Sequence, residues 1–186
     1  SSTSIARITA QPASGCTFLQ WLGDANGTNP ITTVTMSRDK NVHAVFGTTA
    51  GTSVVGGSSI LADPSLPLYP FGTTIKFTAQ PQTGNYFAQW GASASGTDNP
   101  LTFVVSNAVP SVAAIFSALG GSKYALTVIE NGRGHVTANP PANSYGGGQT
   151  VTLTANPDAG QDFLGWSGAA SGTPNPLLVT IGQSRT

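Results

Sequence analysis

The chain has 186 residues, of which 8% are charged, and its seven basic and seven acidic side chains give a formal net charge of zero. Typical soluble domains carry about 25% charged residues, so polarity here comes largely from Ser, Thr, Asn and Gly. We find no basic surface for nucleic acid, and no stretch reaches the ~20 apolar residues of a membrane span. We therefore expect neither nucleic acid binding nor membrane insertion, and the single cysteine excludes an internal disulfide framework.

One sequence phrase occurs three times and sets the organisation of the chain. Its copies read ITAQPASGCTFLQWLGDANGTNP from Ile8, FTAQPQTGNYFAQWGASASGTDNP from Phe77, and LTANPDAGQDFLGWSGAASGTPNP from Leu153. The tryptophans of successive copies are 69 and then 76 residues apart. Repetition of this kind indicates an array of small modules rather than one active-site fold.

The register of this phrase divides the chain into three repeats. The first, 1–47, lacks its first hairpin; the second, 48–118, is complete; the third, 119–186, lacks its last strand. The missing strand is the counterpart of Val42–Phe46 and Val112–Phe116. We expect the incomplete ends to reflect either a window cut from a longer array or an assembly piece that neighbouring chains complete.

Each full repeat is expected to start with a hairpin. The clearest example is Tyr124–Pro141, where Asn131-Gly132 is the strongest short signal for a hairpin turn. A degenerate version, Ser53–Pro64, has no Asn-Gly turn. An aromatic turn follows, over Tyr69–Gly72 in the second repeat and Tyr145–Gly148 in the third.

The next element is a half-buried strand. Thr74–Ala79 and Thr150–Ala155 alternate polar and apolar residues, which predicts strands with Thr outward and the apolar side chains inward. A proline follows each strand and lacks the N–H that a further ladder bond needs. Phe163–Trp166 and its two counterparts read as a short strand or one turn, and no window has helical periodicity. We therefore predict an all-β fold.

These residues carry a family resemblance. LTVIENGRGHVTANPP, from Leu126, followed by SYGGGQTVTLTANPDAGQDFLGWSGAASGTPNPLLVTI, from Ser144, resembles the divergent internalin B-type repeat of bacterial surface and secreted proteins. The resemblance covers almost the whole chain. It implies tandem modules of about 70 residues, of β-grasp-like or compact sandwich type, with roles in adhesion, spacing or surface display. It implies no catalytic residues.

The aromatic residues are the first candidates for a binding site. Trp21, Trp90 and Trp166 could form a row of sugar-stacking platforms, but each has a Phe three residues upstream, which favours a packed core. The aromatics that we expect to be exposed lie elsewhere. They are Tyr69, Phe71, Tyr86 and Tyr145.

The sequence offers few residues that could form a metal site or a catalytic site. The Gly/Asn-rich loops after each Trp offer one Asp in the first two repeats, Asp24 and Asp98, and none in the third, whereas calcium needs several carboxylates. His43 and His135 occupy different positions of their repeats, and Asp158 and Asp162 share a turn only in the third repeat. They are not a shared catalytic set. We expect that the protein is not an enzyme and that it has no catalytic residues, no metal ligands and no cofactor.

Two lysines suggest one more hypothesis, a covalent crosslink. A Lys–Asn isopeptide crosslink, with Lys76 or Lys123 as donor and Glu130 as catalyst, would suit a surface fibre. Because Lys76 aligns with Thr152, the feature would not be shared between repeats. Solvated surface lysines are therefore the simpler expectation.

The function that we expect is that of a non-enzymatic extracellular segment of a bacterial surface or secreted protein. It would act as a spacer, stalk, adhesin or filament-forming piece, and its partners would be neighbouring copies or repeats of the same protein. Open sheet edges recruit strands, so strand exchange between chains is included. The alternatives are a carbohydrate-binding or adhesive module that recognises a glycan or host surface, and an accessory repeat of a secreted hydrolase.

Overall fold

The computed structural model describes residues 4–186, which form β-strands and no helix. In chain order the strands are β1 Ser4–Thr9, β2 Thr17–Gly23, β3 Ile31–Met36, β4 Val42–Thr48, β5 Gly51–Val55, β6 Ser58–Asp63, β7 Tyr69–Pro70, β8 Thr74–Pro81, β9 Asn85–Ala92, β10 Leu101–Val104, β11 Ser111–Ala118, β12 Lys123–Ala125, β13 Gly134–Asn139, β14 Ser144–Gly146, β15 Thr150–Pro157 and β16 Leu177–Thr180. A membrane-spanning helix is accordingly not found among the described residues. The predicted tandem all-β fold is confirmed.

The alternating strands orient as their sequences predict. In β15, Val151, Leu153 and Ala155 are buried, whereas the threonines between them are partly exposed. β8 buries its apolar residues too, but Thr78, which the alternation places outward, is also buried, so the prediction is wrong for that residue. Each strand ends on its proline, Pro81 or Pro157, where the missing N–H stops the ladder.

The first of two compact units combines the first repeat with two segments of the second. It comprises the described residues up to Gly51, together with Pro64–Ile75 and Val104–Ser111. Here β1 pairs with β3, and β2, β4 and β7 form a three-stranded sheet in that order. Trp21 and Val34 are buried in its core, and Phe18 and Phe46 pack against them.

The second compact unit contains the rest of the second repeat and the third repeat. It comprises Thr52–Asp63, Lys76–Phe103 and Val112–Thr186. The second repeat forms two three-stranded sheets, in the orders β10-β8-β6 and β5-β11-β9. Apolar residues of the two central strands are almost completely inaccessible to solvent: Ile75, Phe77, Ala79, Val112, Ala114 and Phe116.

The hairpin predicted over Ser53–Pro64 is not a hairpin. Gly56 and Gly57 have φ values of 90° and 72°, which suits a tight turn. The strands that they join do not pair with each other, however, since β5 pairs with β11 and β6 pairs with β8. The chain therefore crosses from one sheet to the other at this turn.

The third repeat has only one of these sheets in full, in the order β13-β15-β16. The strand predicted over Leu126–Ile129 forms a single bridge, between Leu126 and Arg185. Phe163–Trp166 likewise forms no strand, whereas its counterparts lie in β2 and β9. In the second repeat both corresponding segments pair with β11, and among residues 4–186 no strand pairs with them in this way in the third repeat.

The recurrent Asn-Pro pair closes one sheet in the second and third repeats. The Oδ1 atom of Asn99 accepts the Ala79 N–H at 2.9 Å, and its Nδ2 atom donates to the Ala79 carbonyl at 2.8 Å. Asn175 makes the same two bonds to Ala155, at 2.9 and 2.8 Å. The side chain thus takes the place of a ladder residue just before β10 or β16 begins.

Candidate functional site at the joints between repeats

The tryptophans are structural. In every repeat the Phe–Trp ring centroids lie 4.7–5.1 Å apart, within the range of favourable aromatic pairs. Each Nε1–H donates to a backbone carbonyl eight residues later, at 2.7–2.9 Å. Trp21 and Trp90 are buried, which confirms the core interpretation for them. Trp166 makes the same contacts but is only half-buried.

The tyrosines of the aromatic turns are buried, so the expectation that Tyr69 and Tyr145 are exposed is wrong. Their exposed fractions are 4% and 2%. The hydroxyl of Tyr69 donates to the Pro64 carbonyl at 3.1 Å and accepts the Leu66 N–H at 3.0 Å. Tyr145 makes the equivalent bonds, and each hydroxyl therefore braces the loop before its own strand.

Burial also changes the acidity of Tyr145. Desolvation raises the pKa of its hydroxyl above the usual value, and the N–H of Ala142 opposes this only in part. Of the other predicted aromatics, Phe71 is exposed and Tyr86 is half-buried. Sequence reasoning identified the turns but not the direction of their rings, because a turn tyrosine can point either way.

The loop that carries Asp24 holds an ion-pair network. Asp24 accepts the Asn41 N–H at 2.9 Å and contacts the side chains of Arg38 and Lys40. The Asn41 hydrogen bond is the main reason why the pKa of Asp24 lies below its usual value, and the two cations add to the effect against the opposing desolvation. Its carboxylate is thus engaged by protein donors. Among residues 4–186 no group of three or more potential metal ligands is found.

The candidate catalytic residues are not brought together into a site. Asp158 and Asp162 are both exposed in the loop after β15, and His43 and His135 are exposed on different strands. The absence of catalytic and metal residues stays a prediction.

The first joint links the first and second repeats within the first compact unit. The end of β4 pairs with the aromatic turn of the next repeat, Gly47 with Pro70 and Thr48 with Tyr69. The buried hydroxyl of Thr48 donates to the Gly15 carbonyl and accepts the N–H of Val109, each at 2.8 Å. Of these contacts, the pairing of Gly47 with Pro70 and the hydrogen bond from Thr48 to Gly15 cross the boundary between residues 1–47 and 48–118.

The second joint links the second and third repeats within the second compact unit. Lys76 Nζ lies 2.7 Å from Glu130 Oε2 and donates to the Gly134 carbonyl at 2.9 Å. The other carboxylate oxygen of Glu130 accepts the Val136 N–H at 2.6 Å, and the Glu130 side chain is 8% exposed. The expectation of a solvated lysine is therefore wrong for Lys76.

A neutral bond supports this second joint. The side-chain amide of Asn143 donates to the Thr97 carbonyl at 2.7 Å. Sequence reasoning named Lys76 and Glu130 together but did not identify their ion pair as a joint. Glu130 is the only glutamate of the chain, so the pair cannot recur and the repeat pattern carries no signal for the contact.

The fold and these joints define a tandem array of small β-modules in contact with their neighbours. The sequence profile described as the divergent InlB B-repeat domain matches residues 2–50, 48–120 and 124–183. The chain belongs to the divergent InlB B-repeat family. This family is a structural module and not a known enzyme family, and its repeats typically occur in bacterial surface or secreted proteins. Comparison with curated proteins and with solved structures found no match.

Proposed function

We propose that this chain is a non-enzymatic, extracellular segment of a bacterial surface or secreted protein and works as a spacer whose length is held by the joints between repeats. The family supports a bacterial surface repeat module. The spacer role, the extracellular location and the partners, which are adjoining repeats of the same kind, belong to the proposal.

The ion pair at the second joint is the observation that carries the proposal. Lys76 belongs to the second repeat and Glu130 to the third, and both side chains are largely withdrawn from solvent. A buried carboxylate without its partner is costly, so separation of the two repeats is opposed at this point. Repeats on a flexible tether would have no need for such a contact, whereas a spacer of defined length would.

A carbohydrate-binding or adhesive role has less support. Trp21 and Trp90, which could have served as stacking platforms, are buried in the cores of their repeats. Of the turn aromatics, Tyr69 and Tyr145 are buried too. No specific contact favours the role of an accessory repeat of a hydrolase.

Single-molecule energy transfer tests the spacer proposal. Dyes would be attached at Gln89→Cys in the second repeat and Gln183→Cys in the third, both of which are exposed positions, in a Cys16→Ser background. We expect one narrow transfer efficiency, and a broader distribution in the Glu130→Gln variant because the joint loses its ion pair. A broad distribution in the parent chain would contradict the proposal.

A glycan array separates the adhesive alternative. We expect no binding by the chain. Saturable binding that Phe71→Ala abolishes, while the folded state is retained, would instead support a surface-recognition role, since Phe71 is an exposed aromatic residue of the aromatic turns.

A further inference from the structure

The second joint encloses an asparagine–glycine pair, Asn131-Gly132. Lys76 of the second repeat holds the surrounding segment at both ends. Its Nζ atom lies 2.7 Å from Glu130 Oε2, before the pair, and donates to the Gly134 carbonyl at 2.9 Å, after the pair. The main-chain path from Glu130 to Gly134 must therefore keep its length if both contacts are to form.

The Asn-Gly pair is open to water and free to react. Asn131 and Gly132 are both exposed. Among residues 4–186, neither the side chain of Asn131 nor the main chain of Gly132 takes part in a hydrogen bond. Gly132 has a φ of 94°, which glycine adopts without strain. The Gly132 nitrogen, with no side chain beside it, is thus accessible to the Asn131 side chain.

The second repeat shows that this position is exposed even when a neighbouring strand is in place. The registers of β6 with β8 and of β13 with β15 place Asn131 at the position of Val55, and Gly132 at that of Gly56. Gly56 has almost the same φ, 90°. Val55 belongs to β5, which pairs with β11, and it is nevertheless 56% exposed. Exposure at this position is therefore a property of the turn.

An exposed Asn-Gly pair undergoes an intramolecular reaction that needs only water. The Gly132 nitrogen loses its proton to solvent base and attacks Cγ of Asn131. The N–Cγ bond forms, the Cγ–Nδ2 bond breaks, and the departing nitrogen takes up a proton and leaves as ammonia. Water then opens the resulting succinimide ring. Cleavage of the N–Cγ bond gives aspartate, and cleavage of the bond to the main-chain carbonyl carbon of Asn131 gives isoaspartate.

The two products have different effects on the backbone. Aspartate leaves the main-chain path unchanged. In isoaspartate the main chain runs through Cβ and Cγ, so the segment that Lys76 holds at Glu130 and Gly134 becomes one carbon longer. Only the isoaspartyl product therefore moves the two contacts of Lys76 out of register.

We propose that Asn131 is a site of spontaneous conversion to isoaspartate and that the conversion releases the second joint. The inference rests on the proposed spacer role and adds a means of regulating it, because the joint would loosen as the protein ages. No enzyme, metal or oxidant takes part.

The first repeat contains another Asn-Gly pair, Asn26-Gly27, which serves as an internal comparison. Asn26 is also exposed. The Gly27 carbonyl, however, accepts the Trp21 N–H at 2.9 Å, and Ala25 is buried in the core. Backbone on both sides of Asn26 is thus held in place. We expect Asn131 to convert at least about fivefold faster, because the loop around Asn26 must open locally before its ring can close.

Peptide mapping by mass spectrometry tests the conversion. The folded chain would be kept at mildly alkaline pH, sampled over days and digested, and electron-transfer fragmentation would separate isoaspartyl from aspartyl products. We expect isoaspartate to accumulate at Asn131 as the main product while Asn26 stays largely intact. Asn131→Gln is the matched control and should remain unconverted, since its longer side chain would have to form a six-membered ring. An Asn131 that keeps its amide, or converts no faster than Asn26, would overturn the proposal.

Hydrogen exchange at Val136 reports whether the joint is released, because the Val136 N–H donates to Glu130 Oε1 at 2.6 Å. We expect this amide to exchange at least about tenfold faster in the purified isoaspartyl form than in the fresh chain, since a charge-assisted hydrogen bond is lost. Asn131→Asp carries the same charge on an unaltered backbone and should exchange as the fresh chain does. Equal rates in the isoaspartyl form and the fresh chain would overturn the proposal, and so would an equal acceleration in Asn131→Asp.

The spacer proposal is tested separately, since its energy-transfer measurement uses Glu130→Gln and no conversion of Asn131. A narrow distribution in Glu130→Gln would count against the spacer, while peptide mapping and Val136 exchange would still decide the isoaspartate proposal. A broad distribution in Glu130→Gln together with unchanged Val136 exchange in the isoaspartyl form would retain the spacer and reject the isoaspartate proposal.

Discussion

The second and third repeats carry almost the same Phe-x-x-Trp phrase but embed it differently. Phe87 and Trp90 are 1% and 3% exposed, whereas Phe163 and Trp166 are half-buried. The ring pairs and the Nε1 hydrogen bonds are nearly identical in the two repeats. The difference lies in β11, which pairs with the segment that holds Phe87 and Trp90. The phrase therefore determines local side-chain geometry, while formation of a strand depends on a partner distant in sequence.

Removal of each tryptophan should give the largest difference between the repeats. Trp90→Ala leaves a cavity in a closed core and should destabilise the chain by about 3–5 kcal/mol. Trp166→Ala removes a side chain that is only half-buried and should cost roughly 1–2 kcal/mol. Urea unfolding followed by far-UV circular dichroism measures both. If the two variants lose the same free energy of unfolding, the core of the third repeat excludes solvent as fully as that of the second.

The ion pair between these repeats should give the next largest effect. Lys76→Met leaves the buried Glu130 carboxylate without its cation and should cost about 2–3 kcal/mol. Because Arg38 is 65% exposed in its pair with Asp24, Arg38→Met should change little. Urea unfolding of the two single variants makes the comparison. If Lys76→Met is as mild as Arg38→Met, the second joint does not hold the repeats together.

The Asn-Pro pair should matter in the repeats where its side chain completes a sheet. Asn99→Ala leaves the backbone of the buried Ala79 without two hydrogen bonds and should cost about 1–2 kcal/mol. In the first repeat the side chain of Asn29 instead accepts the N–H of Ile31 in an exposed bond. Asn29→Ala is the matched control and should cost less when thermal unfolding of the two variants is compared.

The smallest effect is a dependence on alkaline pH. Burial raises the pKa of Tyr145 above its usual value of 10.0, so the folded state holds this proton more tightly than the unfolded chain. The resulting stability is complete below that usual value and is lost as pH rises through the folded pKa. Tyr145→Phe should remove this part of the alkaline decline in urea titrations from pH 8 to 11. An unchanged decline in Tyr145→Phe would assign the effect to another group.

Much of the fold could be predicted from local pattern. The alternation of Thr150–Ala155 determines which side chains are buried, and the paired aromatics identify a core, because both depend on neighbouring residues. The hairpin predicted over Ser53–Pro64 was wrong because a tight turn does not determine whether its strands pair with each other. Local pattern could not reveal this crossover between sheets.

The joints were also beyond local pattern. Lys76 and Glu130 are far apart in the sequence and their pairing does not recur, because Glu130 is the only glutamate of the chain.

Native-state hydrogen exchange tests the central comparison most directly. The amides of Phe87–Trp90 lie in β9 next to β11. Within the described part of the chain, Phe163–Trp166 has no such neighbour apart from the bridge at Trp166. We predict slow exchange in the first segment and fast exchange at Phe163–Gly165 under identical conditions. Equal protection of the two segments would contradict the claim that the Phe-x-x-Trp segment forms a strand only where a strand distant in sequence pairs with it.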